Sequence, residues 1–484
     1  MTLQCKSVPL GFLNSLELGS KHQLSRVGFG VIMRLKCRAI QFLGLWIGLS
    51  AALPEVFSAS ELIPGPTPQY LSSEALQKSL TQLERRRIRS YNQGILVETL
   101  DGQKVLADHN SEEVFNPASV MKLATSFFAL SRLGPEQRFQ TEVYGDSALD
   151  GKAKALPGNL YLVSDGDPSL RSSDALSLGR TLMRRGLRRV DGDLVIVGPF
   201  SLYSDRYPVR NSGDLLRRSL SRVGIRVKGK VRTVSVQELD LSAKVLFMRR
   251  ESDRLRDILW LQNAHSINEI ADQLGDILGG PEALEQFLIE NAKIAPDEIH
   301  VDRPSGLQFN KMTPRAAVKL LRALNAWLEA HEMKMQDIMP LAGIDEGTLF
   351  GRFRDPQIYG AVLGKTGTNP VKDGGVSALA GMAFTRDNGP VFYAIFNSHG
   401  SITAYRRWQD HFLKELIEEN GGPGDSFLLH GGLSPINVAS YWVPSEYWSS
   451  LDEETYKQPT RKKAKPSQRK YTKSHPSGSR RVGN

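Results

Sequence analysis

The chain has 484 residues, 40% of them hydrophobic and 24% charged, which suits globular domains with a sizeable core and excludes a transmembrane bundle or a disordered chain. The formal net charge is +10, but ten Lys or Arg and no acidic residue lie from Lys457 onward; removing those ten from the 62 basic residues leaves 52 against 52 acidic. A neutral body with one basic tail excludes a basic nucleic-acid-binding face.

The N-terminal region reads as a leader. Arg34, Lys36 and Arg38 form a basic cluster, Ala39 to Leu53 is an apolar run, and Ser58, Ala59 and Ser60 are small. This is the pattern of a secretory signal cleaved near Ser58–Ser60, with translation expected to start at Met33 because residues 1–32 are mixed and polar. The run is short for a stable span, and a retained anchor is the alternative. Cys5 and Cys37, the two cysteines, fall inside this leader, as suits an exported protein or simple rarity of the residue.

Glu61 to Gln69 is a Pro-containing linker, and Leu71 to Tyr91 carries apolar residues at helical spacing. Gly94–Thr99 and Gln103–Asp108 alternate as strands around Asp101-Gly102, a hairpin signal. Asn116-Pro117 ends the hairpin, and an apolar helix from Ser119 to Leu133 stops at Gly134-Pro135. From about Phe139 to Met248, β-branched runs at Asn159–Val163, Asp193–Val197, Val231–Val236 and Lys244–Met248 predict a β-rich insert with one helix near Ser173–Arg185. Helices are expected at Arg254–Leu261, Ser266–Leu278, Pro281–Asn291 and Thr313–Ala330. Strands follow at Tyr359–Leu363, Ser377–Phe384 and Pro390–Asn397, and Tyr405–Glu419 is a closing helix. The order predicts an α+β fold, an antiparallel sheet flanked by helices with a β-rich inserted domain. The expected division is a leader and signal over 1–60, a first half-domain over 65–138, the insert over 139–250, a second half-domain over 251–425 and a disordered basic tail over 444–484.

Three motifs carry chemistry. In Ser119-Val-Met-Lys122, at a helix start, residues three apart share a face, so the lysine amine lies beside the serine hydroxyl. Serine is a poor nucleophile until a base takes its proton, and lysine serves as that base when burial lowers its pKa; Met121, Leu123, Ala124 and Phe127 would bury it. In Ser266-Ile-Asn268 the hydroxyl can pass a proton to a leaving group and the amide can hold a carbonyl and the lysine; a helix-capping serine is the plainer reading of this motif alone. In Lys365-Thr-Gly-Thr368, Lys365 and Thr366 offer a cation and a hydroxyl to a carboxylate. Gly367 lets substrate backbone approach, and the Thr368 N–H joins that of Ser119 as an oxyanion hole. The trio in this order is that of β-lactamases and penicillin-binding proteins.

On these motifs the chain resembles the class C low-molecular-mass penicillin-binding proteins, the D-alanyl-D-alanine carboxypeptidase/endopeptidases. The resemblance extends to Asn116-Pro-Ala-Ser119, Gly166-Asp-Pro-Ser-Leu170, Val190-Asp-Gly-Asp-Leu194, Ser305-Gly-Leu307, Leu341-Ala-Gly-Ile-Asp345, Gly347-Thr-Leu349 and Ala380-Gly381. It implies a penicillin-binding transpeptidase-like fold and a serine hydrolase acting on D-alanyl bonds of peptidoglycan. Ser119 would be the acylated nucleophile and Lys122 its base. Ser266 and Asn268 would form the second element, and Lys365, Thr366, Gly367 and Thr368 the substrate-binding strand. Asp167 resembles a residue that meets the amine of the substrate's diamino acid; a turn residue before Pro168 is the alternative. Ile267 stands where the family usually has Asp, Ala264 where it has Lys, and Arg303-Pro304 where it has Asp-Gly. The insert is shorter than in many members, so a more open cleft is expected.

The resemblance implies no cofactor. No metal site is read, because His265, His399 and His430 show no ligand spacing. The expected partners are peptidoglycan peptides and β-lactams as covalent inhibitors, with no nucleic acid. The tail contacts anionic wall or membrane polymers or is merely solvated. Two alternatives remain: a β-lactamase of the same fold, which lacks support because no Glu-x-x-Leu-Asn follows Asn268, and a non-catalytic wall-binding homologue.

Overall fold

The computed structural model describes residues 67–149, 154–202, 212–424 and 442–444. The leader, the start at Met33, the cleavage region, His430 and nearly all of the tail lie outside the described residues.

The central element is a six-stranded sheet in the order Gln69–Tyr70, Lys104–His109, Gln93–Thr99, Gly389–Asn397, Val376–Thr385, Val362–Asn369, antiparallel except at the short first strand. Its side chains alternate between two cores, as the period of two requires. Leu96, Phe392, Ala394 and Phe396 enter one cluster with five helices: Met121–Leu133, Leu255–His265, Asn268–Ile277, Gly280–Ala292 and Pro314–Ala330. Ile95, Val97, Val391, Tyr393 and Ile395 enter the other with the helices Glu74–Arg85 and Ile402–Glu419. The predicted hairpin and flanking helices are present.

The helix ends follow local chemistry. The Ser73 hydroxyl accepts from Leu76 N and donates to Glu419 at 2.8 Å, capping the first helix and tying it to the last. Thr313 caps the helix that Pro314 begins. Gly134 at φ 80° ends the nucleophile helix.

The insert forms its own sheet, in the order Val231–Val234, Leu194–Val197, Leu160–Ser164, Gln140–Gly145, Val245–Glu251, Val443–Pro444. Its first three strands run parallel. Parallel neighbours need crossovers, and two helices supply them: Ser172–Arg184 and Ser212–Arg222. Only the first is predicted from the sequence. The second buries only Gly213, Leu216, Ser219 and Leu220, among arginines that blur its apolar stripe.

A second difference concerns the KTG segment. The sequence places Lys365-Thr-Gly-Thr368 after a strand ending at Leu363; the structure runs one strand through it, Val362–Asn369. Glycine on the neighbouring strand allows close pairing. A Cβ on Gly381 would lie 2.1 Å from the Leu363 carbonyl oxygen.

Candidate active site

Asn116 shapes the turn before the nucleophile helix: its Oδ1 accepts from Ala118 N at 2.9 Å. Ala118 has φ 45°, a left-handed conformation costly for a residue with a Cβ, and Ser119 follows in a short helical turn, partly exposed. One turn on, Lys122 is 0% exposed and its Nζ stands 2.9 Å from Ser119 Oγ. The same amine donates to Asn268 Oδ1 at 2.7 Å and to the Ser305 carbonyl at 2.6 Å. Burial lowers the Lys122 pKa to about 7, against the opposing pull of Asp272 and Glu269.

Ser266 joins two helices in a left-handed conformation, φ 58° and ψ 45°, rather than starting one. Asn268 begins the second of those helices, and Ile267 packs against the core. The helix carrying this motif is tied to the nucleophile helix: Asn263 Nδ2 donates to Ser126 Oγ at 3.0 Å and Gln262 Nε2 to the same oxygen at 3.1 Å.

Lys365 is fully buried and donates to Ser266 Oγ at 2.8 Å and to the Thr366 carbonyl at 2.7 Å. Burial, then the Lys122 charge, holds its pKa well below the ordinary lysine range. Its strand presses on the nucleophile turn: a Cβ on Gly367 would lie 2.5 Å from the Pro117 carbonyl oxygen. The five side chains of the three motifs thus form two hydrogen-bonded sets, Ser119–Lys122–Asn268 and Ser266–Lys365, close enough for the Lys122 charge to act on Lys365. The Lys365 amine, expected to face a substrate carboxylate, here contacts the Ser266 hydroxyl of the second motif.

Asp167 does not join them. It is 0% exposed and its carboxylate is taken by Arg250 and by the hydroxyl and N–H of Ser169. An enclosed carboxylate paired with its own cation fits the turn-residue alternative for Asp167.

Residues outside the three motifs complete the cluster. The Ser305 carbonyl is held under Lys122 by Asp272, whose Oδ1 accepts from Ser305 N at 3.0 Å. Thr348 donates from N to the Ala264 carbonyl at 2.9 Å and its hydroxyl accepts from Thr366 Oγ1 at 2.8 Å, so its loop bridges the second and third motifs. Arg406 donates from Nη2 to Thr368 Oγ1 at 2.8 Å. The Ser305-Gly306 and Gly347-Thr348 pairs entered the sequence reading only through the family resemblance; Arg406 carried no signal.

This fold, with a serine, a buried lysine and a KTG strand converging, is that of the penicillin-binding enzymes. Residues 73–207 and 199–412 match the D-Ala-D-Ala carboxypeptidase 3 (S13) family, and the chain belongs to it. A D-alanyl-D-alanine carboxypeptidase of Actinomadura is 36% identical over 100 residues, which is 21% of this chain and 18% of that protein. The alignment thus spans about a fifth of the relative's length. Among solved structures, a predatory peptidoglycan endopeptidase of Bdellovibrio bacteriovorus shares the fold at TM-score 0.55 and 20% identity, covering 68% of this chain and 93% of that one. Penicillin-binding protein 4 of Haemophilus influenzae does so at 0.54 and 19%, covering 68% and 96%.

Proposed function

We propose that the protein is a serine D-Ala-D-Ala carboxypeptidase and DD-endopeptidase acting on peptidoglycan through an acyl-enzyme on Ser119. The observation that carries this reading is the Lys122 amine, wholly buried and 2.9 Å from the Ser119 hydroxyl. Its pKa of about 7 leaves a large neutral fraction at neutral pH. A neutral amine has two N–H groups and a lone pair. Asn268 Oδ1 and the Ser305 carbonyl accept the two N–H, and the lone pair faces Ser119.

Ser119 Oγ attacks the carbonyl of the penultimate D-alanine as its proton passes to Lys122. The N–H groups of Ser119 and Thr368 hold the oxyanion. Collapse breaks the C–N bond, and the leaving nitrogen takes its proton through the Ser266 hydroxyl, which Lys365 orients. D-alanine or the cross-linked stem departs, and water hydrolyses the ester with Lys122 again as base. β-Lactams acylate the same serine and leave slowly. Thr366, Gly367 and Thr368 line the acceptor strand. The test is product analysis on cross-linked muropeptides and free pentapeptides: released D-alanine and split dimers support the reading, and intact substrates with wild-type protein refute it.

Export, with the leader over residues 1–60 removed, belongs to the same proposal; N-terminal sequencing of secreted protein starting near Ser58–Ser60 would support it, and a retained leader would contradict it. No helix among the described residues is long and apolar enough to cross a membrane. The basic tail is proposed to attract anionic wall or membrane polymers; unchanged sacculus binding at low salt after deleting 457–484 would refute this.

A further inference from the structure

Beside the nucleophile turn lies a second depression, of about 310 Å³, that the reaction derived above does not use. Asn116, three residues before Ser119, forms part of its wall. Tyr91, Phe309, Lys311, Asp373 and His399 line the rest of it. Tyr91 and Phe309 are each 61% exposed, so two large rings on one depression face water. Both are held in place. Arg89 donates to the Tyr91 hydroxyl at 2.6 Å, and Lys372 Nζ sits 3.5 Å from the centroid of the Phe309 ring. The buried Asn310 accepts from the N–H groups of Asp302 and Arg303 and so fixes the loop that carries Phe309.

The backbone around the depression is strained. Gln308 at φ 69°, Asp373 at φ 47° and His399 at φ 58° are left-handed residues with a Cβ, a cost that collects at binding sites. His399 N donates to the Asp373 carbonyl at 2.8 Å, and Asn116 Nδ2 donates to Asp373 Oδ2 at 3.1 Å. These bonds tie the depression to the turn that carries Ser119. Polar capacity is left over: Asp373 Oδ1, His399 Nε2 and the Lys311 amine have no polar partner among the described residues.

Aromatic faces with a carboxylate, an amide and an imidazole between them suit a sugar. The C–H faces of a pyranose pack on the rings, and its hydroxyls, which both donate and accept, satisfy the polar groups. A protein partner would favour a centre poor in charge, whereas Glu113, Lys311 and Asp373 all line this one. When a terminal D-alanine leaves, the stem peptide and the glycan joined to it stay on the acyl side. A stem of about four extended residues reaches at most about 13–14 Å, so its sugar comes down close to the serine that holds it.

We propose that this depression is a glycan subsite, which takes an N-acetylated sugar of the strand that carries the stem under cleavage. Tyr91 and Phe309 pack against the sugar rings, and Asp373 and His399 bond the hydroxyls and the acetamido group. The enzyme therefore recognises polymer-borne stems above free peptides. This rests on the hydrolase reading above and adds a substrate determinant outside the catalytic cluster.

The experiment compares the full-length protein with Tyr91→Ala, Phe309→Ala and the double variant. The substrates are a disaccharide-pentapeptide and the same pentapeptide without sugar. Wild type should prefer the sugar-bearing substrate by about tenfold in kcat/KM, mainly through KM. Each single variant should lower that preference to about threefold, and the double variant should abolish it. Cleavage of the bare peptide should stay within about threefold of wild type, because both side chains are exposed and outside the catalytic cluster. Equal kcat/KM on the two substrates in wild type overturns the subsite and leaves the exposed rings to a protein partner. A preference that survives in the double variant overturns it too. Either result leaves the hydrolase reading standing. A wild type that cleaves neither substrate and forms no acyl-enzyme with penicillin overturns both.

Discussion

Lys122 is the residue on which the chemistry turns, and its burial makes it a titration probe. Acylation needs the neutral amine, so its rate should rise with pH to a plateau with a midpoint near the Lys122 pKa of about 7. The same shift predicts a stability effect. The folded-state pKa lies below the ordinary value of 10.5, so between about 7 and 10.5 the unfolded chain binds more protons and stability rises with pH. Below that window the full cost of burying the charged amine is present. Lys122→Met should abolish acylation and reduce this rise, leaving the part that the buried Lys365 contributes, read from urea midpoints at about pH 7 and about pH 10. An unaltered slope would show that Lys122 is ordinarily charged in the fold. The Ser119–Lys122 relation was legible because helical spacing alone fixes it. The Ser305 carbonyl was not: it is a backbone acceptor 183 positions away.

Among the elements, the glycine-marked loops act as clamps on the motif backbones. Gly306 has φ +86°, and a Cβ there would lie 1.9 Å from the Ala118 carbonyl oxygen. Gly347 stands in the same relation to Ala264, with a Cβ 2.2 Å from its carbonyl oxygen. Both loops therefore touch the residues that place Ser119 and Ser266. Gly306→Ala must shift the loop or the nucleophile turn, and penicillin acylation should slow by roughly tenfold to a hundredfold, the scale on which small misplacements of reacting atoms act. A wild-type rate in stopped-flow acylation would show that the loop yields without moving Ser119. Periodicity revealed the sheet and most helices because both faces of the sheet are packed and its apolar residues alternate between two cores. It missed the helix Ser212–Arg222, whose four buried positions include a glycine and a serine, and it cut the KTG strand short because Gly, Lys and Thr carry little strand signal.

On the scale of the whole molecule, the insert is anchored beside the site. Gln273, on the helix that Asn268 begins, donates to the Gly166 carbonyl at 3.2 Å and the Asp167 carbonyl at 3.3 Å. The Asp167–Arg250 pair locks that corner, joining the loop after Leu160–Ser164 to the strand Val245–Glu251. Asp167→Asn removes the nearer counter-charge of the buried Arg250 guanidinium, leaving Asp174 at 3.9 Å, and should cost up to about 3–5 kcal/mol of stability, measured by denaturant unfolding. The folded variant should still acylate with penicillin at near the wild-type rate. Full stability with selective loss of turnover on diamino-acid peptides would instead restore Asp167 to substrate binding. The sequence did not reveal this pairing because the partners are 83 positions apart and Arg250 carries no motif.

The most direct test of the central claim, that Ser119 is the acylated nucleophile, is intact-mass spectrometry after incubation with penicillin. Wild type should gain one penicillin mass, mapped to the peptide containing Ser119, while Ser119→Ala, with an unchanged melting curve, gains none. An adduct on the Ser119→Ala protein, or none on folded wild type, would contradict the account.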